Sequence, residues 1–393
     1  MQVRNQTYLR RRNKEDIINL LREQSRSYSD IARVLKLSNT AIAKIADDLI
    51  ADDIICRDGD TKGRAGINLS INQDYGYVIA IDFSRWQIDC CAADFSGKVL
   101  VKHRIDNINF LPEDLNKLIE EVYALKSEEV LKGRTLRCIA LASPGKIDKE
   151  SGKFILNPRF KSWRNISLKE VFSEEFGCLV TIKNDINLAL SGEKMYGVLK
   201  DVNNALMLHV DVGAGAAILI NGKVYEGSRG FAGEVGYFKL NMLLSDEDNY
   251  GNLNYANYYD STSLFSSLSI VKREVFSGCD SIIQTWLRER KMGWDEITIE
   301  MMIDAYRLGD VLVRKVLDSA ARVIGTFAGC VSEMLDVDTI VLNGSVIRLG
   351  EPYLKQVEKY AGGYPVLYSG LAENATIMGA IDAGIRATYD ERM

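Results

Sequence analysis

Proline, histidine and long apolar runs are scarce in this sequence. It has five prolines and two histidines in 393 residues. So few prolines, and no low-complexity tract, argue against long extended linkers. The two histidines, His103 and His209, fall on predicted strands without partners at metal-ligand spacing, which points to core or surface roles. Seven cysteines (Cys56, Cys90, Cys91, Cys138, Cys178, Cys279 and Cys330) are odd in number and form no C-x-x-C pair. This argues against a disulfide framework or a cysteine zinc site and fits reduced, structural thiols. No run of about 18 apolar residues exists, which excludes a membrane-spanning helix. The start, RNQTYLRRRNKED over 4–16, has no apolar segment of the kind a secretory signal needs. The expected location is the cytoplasm, at the nucleoid when bound to DNA.

What is present suits a folded, multidomain chain. Apolar residues make up 47% and charged residues 26%, enough for a large core. The length predicts two or three domains. The net charge of −5 conceals an asymmetry, because residues 1–46 hold 10 basic and 4 acidic residues. Residues 1–70 carry +3 and the remainder −8. A small basic head on an acidic body is the pattern of an attached nucleic-acid module, although a basic solvated face gives the same charge.

The head predicts three short helices. KEDIINLLREQ (14–24) places Ile17, Ile18, Leu20 and Leu21 on one stripe. SDIARVLKL (29–37) has Ser29 as the expected N-cap and Ile31, Val34 and Leu35 facing inward. The third pattern, over 38–55, has Ser38 as N-cap, with Ile42, Ile45, Leu49 and Ile50 at helical spacing. Two short helices joined by a tight polar turn, after a longer packing helix, read as helix-turn-helix. The third helix would enter the major groove, with Ser38, Asn39, Thr40 and Lys44 toward bases and phosphates and Ser29 at the backbone. A strand-turn-strand with glycines at 59, 63 and 66 follows and reads as a wing. Arg57, Lys62 and Arg64 are its expected phosphate or minor-groove contacts. Asp47, Asp48, Asp52 and Asp53 at the far end of the third helix should face away from DNA. A three-helix packing unit or a protein-binding winged domain is the rival reading.

From residue 75 the pattern turns to strands. GYVIAIDF (76–83), WQIDCCAADF and KVLVKHRI predict a three-stranded meander, followed by a helix over 112–131 and a strand over 136–145. The sequence of elements restarts over 204–227, continues with helices near 262–276, 281–290, 298–306 and 309–335, and adds a strand over 338–347 and a last helix. Repetition of this kind predicts two similar α/β lobes with a ligand cleft beyond the strand ends.

Three motifs in the body, NGKVYEGSRGFAGEVGY (221–237), SPGKI (143–147) and KNDINLALSGE (183–193), resemble those of the ROK family of repressors and sugar kinases. With the head attached, the chain from about 14 to 390 resembles the family's transcriptional repressors. The resemblance implies an N-terminal winged helix-turn-helix (1–70) followed by a two-lobed, actin-like sugar-kinase fold (71–393) that senses a sugar and oligomerises.

A kinase of this family needs two phosphate loops whose glycines and hydroxyls meet ATP. The first, D-x-G-G-T-K, corresponds to Asp82-Phe83-Ser84-Arg85-Trp86-Gln87, in which both glycines are lost. The second, G-T-G-x-G-x-G, corresponds to Asp211-Val212-Gly213-Ala214-Gly215-Ala216-Ala217. Asp211 sets a carboxylate where a triphosphate would approach, a repulsion of about 1–4 kcal/mol in partly wet surroundings. ATP binding and catalysis are therefore not expected, and no cofactor is. Asp185 matches the family's catalytic base and reads either as a ligand contact or as a structural holdover. The family's zinc is not expected either. Tyr237 stands at its histidine, and the stretch that aligns with its cysteines has none.

The family's sugar contacts correspond to Gly145, Lys146, Asn157, Asn184, Asp185, Glu234, Tyr237 and Asn254. The pocket they imply suits a sugar, a sugar phosphate beside Lys146, or no ligand, in which case the GFAGEVG segment serves packing. The resemblance implies a repressor of carbohydrate genes that binds operator DNA as a homodimer or homotetramer, a sugar altering lobe closure and hence head spacing. A sugar kinase with a regulatory head and a ligand-independent DNA-binding or interaction module remain as alternatives.

Overall fold

A first helix, α1 (Gln2–Glu23), opens the chain and starts well before the apolar repeat that predicts it. Its N-terminal half has little apolar pattern, but Arg11–Glu15 and Arg12–Asp16 pairs one turn apart support it. The coordinates are those of a computed structural model, which describes residues 2–58, 67–84, 87–106, 108–148, 151–156, 158–238 and 258–390. After β1 (Arg26–Ser27) come α2 (Tyr28–Leu35) and α3 (Asn39–Ala51). Two longer strands, β2 (Ile55–Asp58) and β3 (Asn68–Ile71), complete an antiparallel sheet of order β1-β3-β2. Ile17, Ile18, Leu21, Ile31, Ile42, Ile45 and Leu49 are buried, as the helical spacing predicts.

Two expectations for the head are corrected. The N-cap of α2 is Ser27, whose Oγ accepts from the Asp30 amide at 3.2 Å, and Ser29 lies inside the helix on its exposed side. Tyr28 is buried, and its burial draws the helix start one residue earlier. Val34 is 45% exposed rather than inward, because Ile31 and Ala32 already occupy the buried side of this two-turn helix.

The chain divides into two compact units, residues 1–183 with 380–393, and residues 184–379. In the first, β4 (Tyr77–Asp82), β5 (Ile88–Asp94) and β6 (Val99–Ile105) form the expected meander. Helix α4 (Asp114–Lys126) precedes β7 (Leu136–Ser143), which lies parallel to β4. A two-stranded ladder of β8 (Lys146–Ile147) and β9 (Phe154–Leu156) follows, then α5 (Leu168–Phe176) and β10 (Leu179–Asn184). The sheet order is β10-β7-β4-β5-β6, with Phe83, Phe110, Phe160, Trp163 and Phe172 in the core beside it.

The second unit repeats this order. After α6 (Asp185–Tyr196), β11 (Ala205–Val210), β12 (Ala214–Ile220) and β13 (Lys223–Val224) form a second antiparallel meander. Five helices follow, namely α7 (Tyr258–Thr262), α8 (Leu264–Phe276), α9 (Ile282–Arg290), α10 (Ile299–Arg307) and α11 (Val311–Leu335). Then β14 (Thr339–Asn343), α12 (Glu351–Lys359) and β15 (Val366–Tyr368) complete a sheet of order β13-β12-β11-β14-β15, with β14 and β15 parallel to β11. Both sheets therefore place a meander on one side of their first strand and a parallel neighbour on the other. The last helix, α13 (Ala375–Asp390), begins in the second unit and ends in the first.

Two glycines let α6 and α13 meet backbone to backbone. A Cβ on Gly379 would lie 1.8 Å from the Leu188 carbonyl oxygen, and one on Gly192 would lie 2.4 Å from that of Ala375. We expect Gly379→Ala to destabilise this unit by about 1–3 kcal/mol through overpacking. Urea unfolding followed by fluorescence reads it, and an unchanged midpoint would contradict the close approach.

His103 takes a surface role on β6. Its Nδ1 lies 2.5 Å from Glu121 on α4 and its Nε2 3.0 Å from Glu128. Burial disfavours the charged ring, but the two carboxylates outweigh this and raise its pKa above the ordinary value. The stabilisation is thus complete below the ordinary histidine value of about 6.5 and is lost as pH rises through the raised folded value. The stability difference between the protein and His103→Gln should therefore shrink on going from about pH 6 to pH 9. A difference independent of pH would show that the ring is not charged.

Candidate functional site

The start of α3 gathers the polar residues expected to read DNA. Ser38 caps it, its Oγ accepting from the Ala41 amide at 3.1 Å. Ser38, Asn39, Thr40 and Lys44 are all exposed. Lys36 joins them at the tight turn, exposed and in the left-handed conformation at φ 54°. Sequence reasoning missed Lys36, and the only available signal was its place directly after the last apolar residue of α2. The acidic end of α3 is occupied, with Asp48 paired to Arg10 and Asp52 to Lys14 of α1. Arg57, expected on phosphate, instead pairs with Asp47 at 2.9 Å and donates to the Tyr28 hydroxyl. Lys62 and Arg64 lie outside the described residues.

In the second unit, the start of α6 carries two of the expected sugar contacts. Asn184 is its N-cap, Oδ1 accepting from the Ile186 and Asn187 amides at 3.0 and 3.1 Å. Asp185 is 7% exposed in the first turn, where the helix dipole favours an anion. The same turn holds Asn187, whose buried Oδ1 has no hydrogen-bond partner among the described residues, a rarity that sequence could not signal. Gly215 of β12 abuts Ile186 so closely that a Cβ would lie 2.4 Å from the isoleucine Cδ1. Gly233 (φ 88°) is seated on the next residue of β12, a Cβ there lying 2.0 Å from the Ala216 carbonyl oxygen. This brings half-buried Glu234 to the same strand as the α6 start. Gly233 and Gly236 of the GFAGEVG segment thus have a packing reason.

In the first unit, Gly145 turns at φ 82° after β7 and Lys146 opens β8, its backbone paired opposite Leu156. The backbone at Tyr237 ends a short 3-10 turn over Val235–Tyr237. Asn157 and Asn254 lie outside the described residues.

The two loops that would hold phosphate are each closed by their own carboxylate. Asp82 accepts from the Ser84 amide at 2.8 Å, and Phe83 is fully buried edge-on to Phe160 and Trp163. Asp211 accepts from the Val212 amide at 2.8 Å, the Ser345 amide at 3.0 Å and the Ser345 hydroxyl at 2.7 Å. Backbone N–H groups at both turns are thus engaged by a carboxylate. Among the described residues no three His, Cys, Asp or Glu side chains converge for a metal, and residues 248–257, in the stretch aligned with the family's cysteines, lie outside them.

Comparison with known proteins agrees with this architecture. The chain is 27% identical over 363 residues to the xylose repressor of Caldicellulosiruptor bescii, covering 90% of this chain and 88% of the relative. It is 25% identical over 317 residues to the glucokinase of Thermotoga maritima, covering 77% of this chain and 95% of that enzyme. Among solved structures, a ROK family transcriptional regulator described as a homolog of the Escherichia coli MLC protein superposes with a TM-score of 0.81. That match is 21% identical, covers 97% of both chains and speaks for the fold. Residues 78–382 match the profile of the ROK family. The chain, with its twice-repeated sheet, is a member of the ROK family and has that family's sugar-kinase-type α/β fold.

Proposed function

We propose that this protein is a sugar-responsive transcriptional repressor of carbohydrate genes that binds DNA and does not transfer phosphate. Residues 1–70 form a winged helix-turn-helix head, and residues 71–393 sense the sugar and hold two or four heads together. The observation that carries the DNA-binding part is the exposed start of α3, where Ser38, Asn39, Thr40 and Lys44 meet solvent together. A capped helix start with small polar residues suits a major groove, with Ser29 on α2 at the phosphate backbone. Lys62 and Arg64 would supply wing contacts. One such head binds weakly, so a homodimer or homotetramer on a palindromic operator is the working form.

The sugar contacts we assign are Gly145, Lys146, Asn157, Asn184, Asp185, Glu234, Tyr237 and Asn254. The buried Asn187 oxygen supports a polar ligand at the start of α6, because a sugar hydroxyl can satisfy such an acceptor. A pentose such as the xylose named for the Caldicellulosiruptor relative, or an aminosugar, is the class of effector to try first. Against catalysis stands Asp211, whose carboxylate occupies the Ser345 and Val212 amides. Asp185 keeps the position of the base but has no phosphoryl donor to work with. The protein acts in the cytoplasm, at the nucleoid.

Three outcomes follow. DNA duplexes selected from a random pool should bind with a steep salt dependence, and Asn39→Ala and Arg64→Ala should each weaken binding at least fivefold. Unchanged affinity in both variants would remove the head from the DNA. Labelled ATP with a panel of pentoses and hexoses should give no sugar phosphate above background, and turnover at enzyme-like rates would establish a kinase. Asp211→Ala, which strips the acceptor from two amides, should cost about 1–3 kcal/mol of stability in urea unfolding. A neutral effect would show that the loop does not depend on its own carboxylate.

A further inference from the structure

The head is tied to the body by a charged contact removed from water. Arg22 lies near the end of α1, and its side chain is 1% exposed. Its Nη1 donates to Asp382 Oδ1 on α13 at 2.7 Å. Arg386, one turn further along α13, donates to the other carboxylate oxygen at 2.7 Å. Asp382 is thus held between two guanidinium groups, and these hold its pKa below the ordinary value although burial opposes this.

Such an arrangement is a poor choice for stability alone. Burying two charges costs much of what their attraction returns, and well-packed apolar residues of similar volume serve as well or better. What an ion pair adds is register, because a planar guanidinium accepts a carboxylate in few orientations, whereas an apolar contact can slide. Arg22 follows directly on Leu21, which is buried in the head, and α1 packs against α2, α3 and β3. A shift of α13 against α1 would therefore move the whole head.

The other end of α13 meets α6 with no slack, through Gly379 against Leu188 and Ala375 against Gly192. Helix α6 begins at Asn184 and Asp185. Further along, Gly384 of α13 lies against Val78 and Ala140, and Tyr389 packs with Tyr75 and Phe95 beside the segment where head passes into body. One helix thus touches the start of the sensing region and the base of the DNA-reading region.

We propose that the Arg22–Asp382–Arg386 triad is the coupling element that carries the effector state from α6, through α13, to the DNA-binding head. This rests on the sugar-responsive reading, and it assigns the regulatory step to three named side chains. None of them is among the residues assigned to DNA or to the sugar, so removing them should spare both binding events and erase the link between them.

The test uses the full chain, a duplex selected by the wild-type protein, and the sugar from a pentose and hexose panel that shifts its affinity most. The variant Arg22→Met with Asp382→Leu leaves no buried charge unpaired. We expect its affinities for duplex alone and for sugar alone to stay within about threefold of wild type. The sugar-induced change in duplex affinity should fall from at least tenfold to twofold or less. Retention of the wild-type change would overturn the proposal. The exchanged pair, Arg22→Asp with Asp382→Arg, should restore at least part of the change. Arg22→Lys keeps the charge but loses the planar fork, and serves if the apolar variant does not fold. It should reduce the change at least threefold, and an unreduced change would likewise overturn the proposal. If no sugar acts on wild type, the sugar-responsive reading fails, and coupling is read with duplex alone. Hydrogen exchange in α6 and α13 should then respond to duplex in wild type and not in the apolar variant. The same response in both, or in neither, would refute the coupling role.

Discussion

Asp382 is a carboxylate withdrawn from water, and the attachment of the head to the rest of the chain rests on what surrounds it. Arg22 comes from the first helix and Arg386 from the helix of Asp382 itself. A buried carboxylate without such partners would be a large penalty, so the first and last helices are committed to one another across 360 residues of sequence. The basic head belongs to the same compact unit as the first five-stranded sheet, although its composition sets it apart. The close packing of α13 on α6 then gives that commitment a second end.

Elsewhere carboxylates close two turns from within. Asp211 binds the loop after β11 to the loop after β14, and Asp82 closes the loop after β4 on Ser84. Both loops follow the first strand of their sheet, so the repeated topology is retained while its two ligand-facing turns are satisfied internally. In the function we propose Asp185 and Glu234 meet the sugar, and Gly215 and Gly233 seat the segments that carry them against one strand of the second unit.

The sequence was most legible where the physics is local. Ser38 as a cap, the strands of both meanders and the helices over 264–335 follow from spacing of apolar residues and capping chemistry within a few positions. The head's misreadings have local causes too. Ser27 displaced Ser29 as a cap because Tyr28 is drawn inward, and α1 extends into a polar stretch held by ion pairs rather than by an apolar stripe. The parts that could not be read are long-range. Asp211 meets Ser345 across 134 residues and Arg22 meets Asp382 across 360, and nothing in either neighbourhood names its partner. The charges that remained conspicuous in the sequence, Asp47 and Arg57, proved to satisfy each other.

In the function we propose, a sugar alone, without nucleotide chemistry, governs the grip of this protein on DNA. This is tested most directly by fluorescence anisotropy of a selected duplex, titrated with individual sugars in buffer free of ATP. One sugar should change the duplex affinity at least tenfold, and adding ATP should leave this change as it was. An affinity indifferent to every sugar, or one that responds only while ATP is consumed, would contradict it.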